Sequence, residues 1–430
     1  MDAYRKSTEE LLDFIRRSPS CFHAVANLVA LLREGGFTEL SAVQPWKLCA
    51  GGKYYVTANG SALLAFTLPT LNYQGVHIVA AHSDAPCFKI KENPEIACES
   101  AYTTLNVEGY GGMLCAPWFD RPLSVAGRVV VEQDGGRALV PRLVNFDRDL
   151  LSIVNLAIHM DRDANKGKAY QMQKDMLPLF SGETGGKTLR VLTAQQLNVA
   201  PDSIVDADLF LYHRMAGTVW GAQEEFISAP RLDDLQCSFA AVQALLTAQN
   251  PDKLCMAAVF DNEEVGSGTK QGALSTLLAD TLRRIALATG KSEEQQLITL
   301  AKSSMLSADN GHALHPNYPE KCDKTNRPKL NGGVLIKYAA NQKYTTDAVS
   351  GAALRRVCER AGIPYQIFVN HSDVAGGSTL GNLSATQVSV PTVDIGAAML
   401  AMHSPYETGG VRDTLQLTQA MRAYYETHLL

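Results

Sequence analysis

The sequence predicts an α/β fold in which one α/β domain is interrupted by a mostly β insertion. Long helical patterns alternate with apolar strands near both ends of the chain, whereas residues 96–230 hold short β-like runs separated by turns. Alternating helices and buried strands are typical of α/β domains. We therefore expect residues 1–95 and 231–430 to form two segments of one domain, and residues 96–230 to form the insertion.

The first segment contains two predicted helices and one buried strand. Ser7-Thr8-Glu9-Glu10 reads as a capping box that begins the first helix. A second apolar helical pattern, which starts near Phe22, ends at Gly35-Gly36, because glycine commonly terminates helices. The continuous apolar run from Val76 to Ala81 predicts a strand that is buried on both faces.

The insertion contains a hairpin signal and one helical pattern. Two β-like runs, Gly127 to Val131 and Leu139 to Val144, flank the turn residues Gln133-Asp134-Gly135-Gly136. A helix is expected from about Leu150 to Met160.

The second segment returns to long helices and apolar strands. Apolar residues from Leu232 to Leu246 share one helical face. The expected buried strands are Leu254 to Phe260, Ser304 to Ala308, Tyr365 to Asn370 and Thr392 to Ile395.

Composition excludes several classes of protein. The 430 residues are 46% hydrophobic and 19% charged, as in ordinary globular proteins, and the net charge of −5 does not favour nucleic-acid binding. No apolar run reaches the roughly 20 residues of a membrane-spanning helix, and the charged N-terminal residues do not resemble a signal peptide. Nine cysteines form no C-x-x-C pair, so we expect free thiols and a cytoplasmic location.

Polar residues form five groups, four of which follow predicted strands, while the fifth, with Asp233, begins a predicted helix. Ligands in open α/β sheets bind beyond the carboxyl ends of the strands, so these positions are candidates for a functional site. The five groups are His82-Ser83-Asp84, Arg231-Leu232-Asp233-Asp234, Asp261-Asn262-Glu263-Glu264, Ser307-Ala308-Asp309-Asn310 and Met402-His403-Ser404.

These groups supply the ligands of a two-metal site. His82, Asp233, Glu264, Asp309 and His403 offer two imidazoles and three carboxylates. If Asp233 bridges two ions, each ion receives three protein ligands and keeps an open position, as catalytic zinc sites require. Two-metal hydrolytic sites hold their ions about 3.5–4 Å apart, a gap that one carboxylate can bridge.

Two further carboxylates have expected roles beside these ligands. Asp84 follows His82 by two residues, so on a strand both face one side and Asp84 can orient the imidazole. Glu263 and Glu264 are adjacent and should point apart, which lets one bind metal while the other acts as general base.

Each residue also has an ordinary structural explanation. A strand-end histidine and a solvated Glu-Glu pair are common, and Asp233 could simply cap its helix. Nucleotide binding is not expected either, because Gly266 to Lys270 lacks the spacing of a phosphate-binding loop. The order of the five groups along the chain, each at the end of an element, is the stronger signal.

Long motifs in this order resemble the aspartyl aminopeptidase family of metallopeptidases. The similarity runs from Ser18 to His403 and covers nearly the whole chain. Its motifs are His82 to Cys87, Pro117 to Arg121, Asn155 to His159, Pro230 to Leu235, Asp261 to Ser267, Ser307 to Tyr318 and Ala401 to Ser404.

The resemblance implies a zinc-peptidase-like α/β/α catalytic domain interrupted by a mostly β dimerisation domain. It implies two Zn²⁺ per chain, with Mn²⁺ or Co²⁺ as possible substitutes, and a homododecamer built from dimers. Matching motif positions place the ligands at His82, Asp233, Glu264, Asp309 and His403. They also place the general base at Glu263. His82 and Asp309 are then expected to share one ion with the bridge, while Glu264 and His403 hold the other.

Four further positions are implied near the substrate. Lys337 matches a lysine that meets an acidic substrate side chain, and His159 matches a histidine that reaches a neighbouring subunit's site. Either could instead be an ordinary surface residue. His312 and His315 match positions near the metals, without an assigned role.

The expected activity is removal of an N-terminal Asp or Glu from peptides with a free N-terminus. Two stretches depart from the family pattern and leave a neutral-residue preference open: Tyr338 to Gln342, and the glycine-rich loop Asp373 to Thr379, which lacks a cysteine. The alternatives are a related metallo-carboxypeptidase or deacylase, and a non-catalytic assembly or cargo scaffold. No nucleic-acid or membrane partner is expected.

Overall fold

A nine-stranded mixed sheet forms the centre of the protein in the computed structural model, which describes residues 3–428. Strands are numbered here in chain order. Across the sheet they lie in the order β1 (Thr38–Glu39), β2 (Gly52–Ala58), β3 (Ala62–Leu68), β13 (Lys253–Phe260), β4 (Gly75–His82), β14 (Ser304–Ala308), β18 (Thr392–Gly396), β16 (Val334–Tyr338) and β17 (Tyr365–Val369). The four central strands β13, β4, β14 and β18 are parallel to one another.

Helices cover both faces of this sheet. These helices are α1 (Ala3–Arg17), α2 (Cys21–Glu34), α5 (Leu232–Thr247), α6 (Leu277–Ala288), α7 (Glu293–Ala301), α8 (Ala348–Ala361), α9 (Leu380–Ser384) and α10 (Asp413–Tyr425). Two more, α3 (Met172–Asp175) and α4 (Leu189–Leu197), lie in the insertion. Buried residues of α1, α2, α5, α8 and α10 form one core with the sheet, and those of α6 and α9 form another.

Strand β4 shows how one sequence serves both cores. Val79 and Ala81 pack into the first core, whereas Ile78 and Ala80 pack into the second. Side chains alternate between the faces of a strand, so a strand covered on both faces must be apolar throughout. The apolar run therefore forms a buried strand, as predicted.

A six-stranded antiparallel sheet with its own core forms the insertion. Its strands lie in the order β8 (Ala138–Asn145), β7 (Leu123–Gln133), β10 (Ile204–His213), β5 (Cys87–Cys98), β6 (Tyr102–Tyr110) and β9 (Leu179–Ser181). Strand β5 runs across the predicted boundary between residues 95 and 96, so this sheet begins at Cys87. The division of the chain at residues 95 and 230 stays a prediction.

A smaller sheet joins distant parts of the chain beside the central one. Its five strands lie in the order β11 (Thr218–Trp220), β12 (Phe226–Ala229), β20 (Glu407–Gly410), β19 (Ala398–Leu400) and β15 (Gly311–His312). Strand β12 ends just before α5, and β19 and β20 flank His403.

Most predicted elements are confirmed, and two are wrong. The hairpin forms between β7 and β8, α2 ends before Gly35, and the four strands of the second segment are present. However, α1 begins at Ala3, so Ser7 lies inside the helix and cannot cap it. Residues 150–160 are not helical, because Leu151 and Ile153 instead make isolated bridges to other segments.

Within residues 3–428 no helix is both long enough and apolar enough to cross a membrane.

Candidate metal centre and active site

Parallel strands bring most of the predicted ligands to one edge of the central sheet. His82 is the last residue of β4, Asp309 directly follows β14, and Glu264 lies in a short 3₁₀ turn after β13. These three strands are adjacent and parallel, so their carboxyl ends meet. Asp233 enters from the first turn of α5, and His403 enters from the loop between β19 and β20.

The carboxylate of Asp233 lies between the two histidines. Its Oδ1 is 3.9 Å from His82 Nε2, and its Oδ2 is 3.4 Å from His403 Nε2. Glu264 Oε2 is 3.3 Å from the same His403 nitrogen. One oxygen of Asp233 therefore faces each histidine, which is the arrangement that a bridging carboxylate requires.

Among residues 3–428, potential ligand atoms fall into three overlapping groups, in each of which the atoms lie within 4.8 Å of one another. The groups are His82 with Asp233, Asp234 and Asp309; His82 with Glu263 and Glu264; and Asp233 with Glu264 and His403. Asp233, His82 and Glu264 each belong to two of them. The first and third groups together contain all five predicted ligands, with His82 and Asp309 in the first, Glu264 and His403 in the third, and Asp233 in both. Their pairing on two ions stays a prediction.

Hydrogen bonds fix the tautomer of both histidines. His82 Nδ1 is 3.1 Å from the carbonyl oxygen of Asp84 and 3.3 Å from its carboxylate, and His403 Nδ1 is 2.6 Å from the carbonyl oxygen of Gly112. All of these neighbours are acceptors, so Nδ1 carries the proton in each ring. Each Nε2 therefore faces the carboxylates, and it is the ring atom that a metal ion at this place would bind.

The electrostatics of this cluster favour a cation. Buried carboxylate oxygens of Asp233, Asp234 and Glu264 have no hydrogen-bond partner in the described part of the chain. Burial, with repulsion from neighbouring carboxylates, raises the pKa of Glu263 to about 8 and the pKa of Glu264 well above its usual range. Burying unpaired charge is unfavourable, whereas a bound divalent cation reverses that balance. Imidazole and carboxylate donors fit zinc, and they also suit manganese.

Asp84 is placed to support several site residues at once. Its carboxylate accepts hydrogen bonds from the backbone N–H groups of Glu263 (3.1 Å) and Glu264 (3.2 Å) and from the Tyr110 hydroxyl (2.7 Å). Asp84 lies beyond the end of β4, so it reaches His82 through a loop rather than along a strand face.

Two supporting carboxylates were missed by the sequence analysis. Glu407 accepts hydrogen bonds from the backbone N–H groups of Asp233 (3.0 Å) and His403 (2.7 Å), and Asp234 accepts one from the backbone of His82 (3.1 Å). Asp234 was visible as the neighbour of Asp233. Glu407 carried no sequence signal, because it lies alone at the start of β20.

The four predicted substrate-binding residues occupy different surroundings. Lys337 is buried, and its Nζ donates to the carbonyl oxygen of Asn310 at 2.8 Å. His312 and His315 line a cavity of about 510 Å³ that also contains Lys321. His159 is exposed and lies outside the three ligand groups of this chain.

Comparison with known proteins places the chain in a family. The family described as Aminopeptidase I zinc metalloprotease (M18) matches residues 14–425. The chain is 44% identical over 430 residues to a probable M18 family aminopeptidase 2 of Clostridium novyi (strain NT), covering 98% of both chains. It is 45% identical over 426 residues to the corresponding protein of Clostridium acetobutylicum, covering 97% of this chain and 98% of the relative.

Solved structures share the fold. The M18 family aminopeptidase of Thermotoga maritima has a TM-score of 0.86 at 26% identity, covering 98% of this chain and 96% of that one. The mApe1 dodecamer of S. cerevisiae has a TM-score of 0.87 at 28% identity, covering 99% and 98%. With its sequence matched almost from end to end and its α/β architecture shared, the chain belongs to the M18 family of zinc aminopeptidases.

Proposed function

We propose that this aminopeptidase removes the N-terminal residue of peptides with two zinc ions held by the five predicted ligands and with Glu263 as general base. The position of Asp233, with one oxygen facing His82 and the other facing His403, supports the proposal most directly. His82 and Asp309 would hold one ion together with Asp233, and Glu264 and His403 would hold the other.

When bound, the zinc ions would supply Lewis-acid polarisation of the scissile carbonyl and a lowered pKa for water. Glu263 belongs to one ligand group with His82 and Glu264, but it is not needed to complete either set of three ligands. Its carboxylate would accept a proton from the attacking water and return it to the leaving amine. Asp84 would keep the His82 ring and the Glu263 backbone in place.

We propose that acidic N-terminal residues are preferred. The 510 Å³ cavity is lined by Lys321, His312, His315 and His371, and no Asp or Glu occurs among its lining residues in the described chain. A substrate carboxylate in this cavity would meet only neutral or positive groups. A neutral-residue preference is the alternative, and it is favoured by Lys337, whose ammonium is engaged inside the protein.

A panel of peptides that differ only in the first residue tests both proposals. Zinc-, manganese- and cobalt-loaded enzyme would be assayed with N-terminal Asp, Asn, Glu, Gln, Ala and Leu. Because Asp and Asn have the same shape, a kcat/KM ratio above about tenfold in favour of Asp supports charge recognition. Equal rates on Asp and Asn would establish the neutral preference. N-acetylated peptides should resist hydrolysis, whereas a deacylase would accept them.

We propose that the chain forms a dodecamer built from dimers, as its dodecameric relative suggests. Alternate residues of the segment 154–160, which ends in a turn, carry large apolar side chains that are between 48% and 74% exposed: Val154, Leu156, Ile158 and Met160. Exposed apolar side chains grouped in this way mark interaction sites. His159 lies within the segment, so a partner that covers it could receive His159 at its metal centre. The proposed location of the protein is cytoplasmic.

Native mass measurement and subunit mixing test this assembly. Twelve chains per particle are expected. Co-expression of Glu263→Gln chains with His159→Ala chains should restore partial activity, because some composite sites then contain both wild-type residues. Both variants must be inactive on their own. If mixed particles, once verified, are then also inactive, the shared site is contradicted.

A further inference from the structure

The segment that follows β6 connects the insertion to the metal centre. The Tyr110 hydroxyl lies 2.7 Å from Asp84 Oδ2, the carbonyl oxygen of Gly112 lies 2.6 Å from His403 Nδ1, and the Leu114 N–H donates to the His403 carbonyl oxygen at 3.0 Å. Gly111 has a positive φ of 77°, and a Cβ built there would lie 3.0 Å from the Glu264 Cβ. The backbone of the insertion therefore lies close to the site. The side chain of Tyr110 reaches further and contacts Asp84 directly.

The direction of each hydrogen bond around Tyr110 can be assigned. An ionised carboxylate only accepts, so the Tyr110 hydroxyl donates its single proton to Asp84. The phenolic oxygen then accepts from Asn262 Nδ2 at 2.8 Å. The Asn262 side chain is fixed in this orientation because its Oδ1 accepts from Thr269 Oγ1 (2.8 Å) and Gln271 Nε2 (2.7 Å).

Asp84 transmits this restraint to the reacting groups. Its two carboxylate oxygens accept from the backbones of Glu263 and Glu264, and Oδ1 lies 3.3 Å from His82 Nδ1. A rotation of the Asp84 carboxylate would therefore change the support of the proposed base and of one proposed ligand to each ion. The Tyr110 hydroxyl opposes that rotation from the side of the insertion.

The phenyl ring and the hydroxyl of Tyr110 can be separated. The ring packs edge-to-face on Phe210, with the two centroids 5.8 Å apart, and phenylalanine would keep that contact. The hydroxyl makes the hydrogen bonds to Asp84 and Asn262 that phenylalanine cannot make. A purely structural role would therefore depend on the ring, and a role in the site would depend on the oxygen.

We propose that Tyr110 is a positioning residue for the reaction, which acts through Asp84 on His82, Glu263 and Glu264. This inference rests on the proposed function, because it assumes that these residues bind zinc and move the proton. Replacing a residue that hydrogen-bonds to metal ligands and orients them typically lowers metal affinity or activity by about 10- to 100-fold. We expect a change of that size from loss of this one hydroxyl.

Tyr110→Phe tests the proposal against Tyr212→Phe, which removes a hydroxyl bonded to Asn145 in the same sheet. Zinc dissociation constants from chelator competition, kcat and KM would be measured for both variants. Tyr110→Phe should weaken zinc binding or lower kcat at least tenfold with little change in KM. Tyr212→Phe should stay within about twofold of the wild type in each quantity.

A double-mutant cycle with Asp84→Asn shows whether the effect passes through Asp84. In the Asp84→Asn background, loss of the Tyr110 hydroxyl should change zinc affinity by less than twofold, because coupled residues are not additive. An equal loss in both backgrounds, or a Tyr110→Phe enzyme within twofold of the wild type, would overturn the proposal. Should Tyr110→Phe fail to fold, Asn262→Gly removes the hydrogen bond that holds the phenolic oxygen and keeps the bond from Tyr110 to Asp84. A smaller loss of zinc affinity or kcat is then expected, and values within twofold of the wild type would overturn the proposal.

Wild-type measurements made in parallel keep the two proposals apart. A wild-type enzyme that binds fewer than two zinc ions, or that does not release N-terminal residues, counts against the proposed function. A normal wild type with an unaffected Tyr110→Phe variant counts against Tyr110 alone.

Discussion

Lys337 Nζ lies 3.8 Å from Asp309 Oδ1, and both side chains are buried. The ammonium also donates to the Asn310 carbonyl oxygen and lies 5.2 Å from the centre of the Tyr344 ring. Despite burial, Asp309 and the other negative groups nearby hold the Lys337 pKa above its usual range, so the side chain stays charged. This geometry directs Lys337 towards a proposed ligand, whereas Lys321 lines the adjacent cavity.

Lys337→Met should therefore lower kcat/KM by a similar factor for Asp and Ala substrates. Removal of one partner from a buried charge pair is strongly unfavourable, at about 3–5 kcal/mol, because the other charge stays buried. The matched variant Lys321→Met should instead affect Asp and Glu substrates selectively. If the loss in Lys337→Met were confined to acidic substrates, Lys337 would be the substrate-binding lysine that the resemblance implies.

Glu263→Gln should retain both zinc ions and lose activity by about 10²- to 10⁴-fold, the usual contribution of a general base. Glutamine preserves the shape of the side chain but cannot accept the proton. The adjacent Glu264→Gln is the matched variant, and it should lose zinc as well as activity. Elemental analysis together with kcat separates the two roles, and near-normal turnover in Glu263→Gln would exclude it as the base.

Asp233→Asn should lose at least one equivalent of zinc, because an amide offers only one oxygen for metal binding. The control is Asp208→Asn. In the wild type the Asp208 carboxylate pairs with Lys89 and Arg128 in the six-stranded sheet, away from the metal centre. That variant should keep the wild-type zinc content. Two fully occupied sites in Asp233→Asn, found by elemental analysis after dialysis, would refute the bridging role.

Glu407→Gln should weaken zinc binding by about 10- to 100-fold, although Glu407 is not a proposed ligand. Its carboxylate accepts from the backbones of Asp233 and His403, and a glutamine side chain can accept through only one oxygen. One buried N–H would lose its partner, at about 1–3 kcal/mol. Glu359→Gln, which breaks an exposed pair with Arg356, should change neither zinc affinity nor stability measurably.

The buried imidazole of His213 should make stability depend on pH. Burial, with the charges of Arg121 and Arg231, lowers the pKa of His213 to about 4 in the folded state, whereas the unfolded value is about 6.5. Neutral His213 therefore contributes to the free energy of unfolding fully above pH 6.5. This contribution is lost as the pH falls towards 4, because His213 of the unfolded chain takes up its proton at a higher pH than His213 of the folded chain.

His213→Asn should reduce this dependence. Asparagine can still accept the Met215 N–H, which His213 Nδ1 accepts at 3.3 Å, but it does not titrate. Between pH 7.5 and 5 the variant should lose less unfolding free energy than the wild type, by about 2 kcal/mol. Urea unfolding at both pH values, with zinc saturating, measures the difference, and parallel losses would contradict the assignment.

The sequence predicted the candidate site better than it predicted some local structure. His82, Glu264 and Asp309 could be placed together because parallel strands bring their carboxyl ends to one edge of a sheet. Tyr110 could not be placed, because it is a single common residue whose partners Asp84 and Asn262 lie 26 and 152 positions away. Glu407 lies only four residues after His403, but its contact with Asp233, 174 positions away, could not be predicted. Residues 150–160 misled the analysis, because their apolar side chains suit a helix when the neighbouring chain is unknown. In the structure, several of these side chains are exposed instead.

The five-stranded sheet also determines when a nascent chain can become active. It pairs β12, just upstream of Asp233, with β20, which carries Glu407, and β19 and β20 flank His403. When synthesis has reached only Asp309, His403 is still missing. So is Glu407, whose carboxylate accepts hydrogen bonds from the backbones of Asp233 and His403. On the proposed ligand set, a chain that ends before His403 would lack a ligand of the second ion. The order of synthesis would then keep the site incomplete until β20 had emerged.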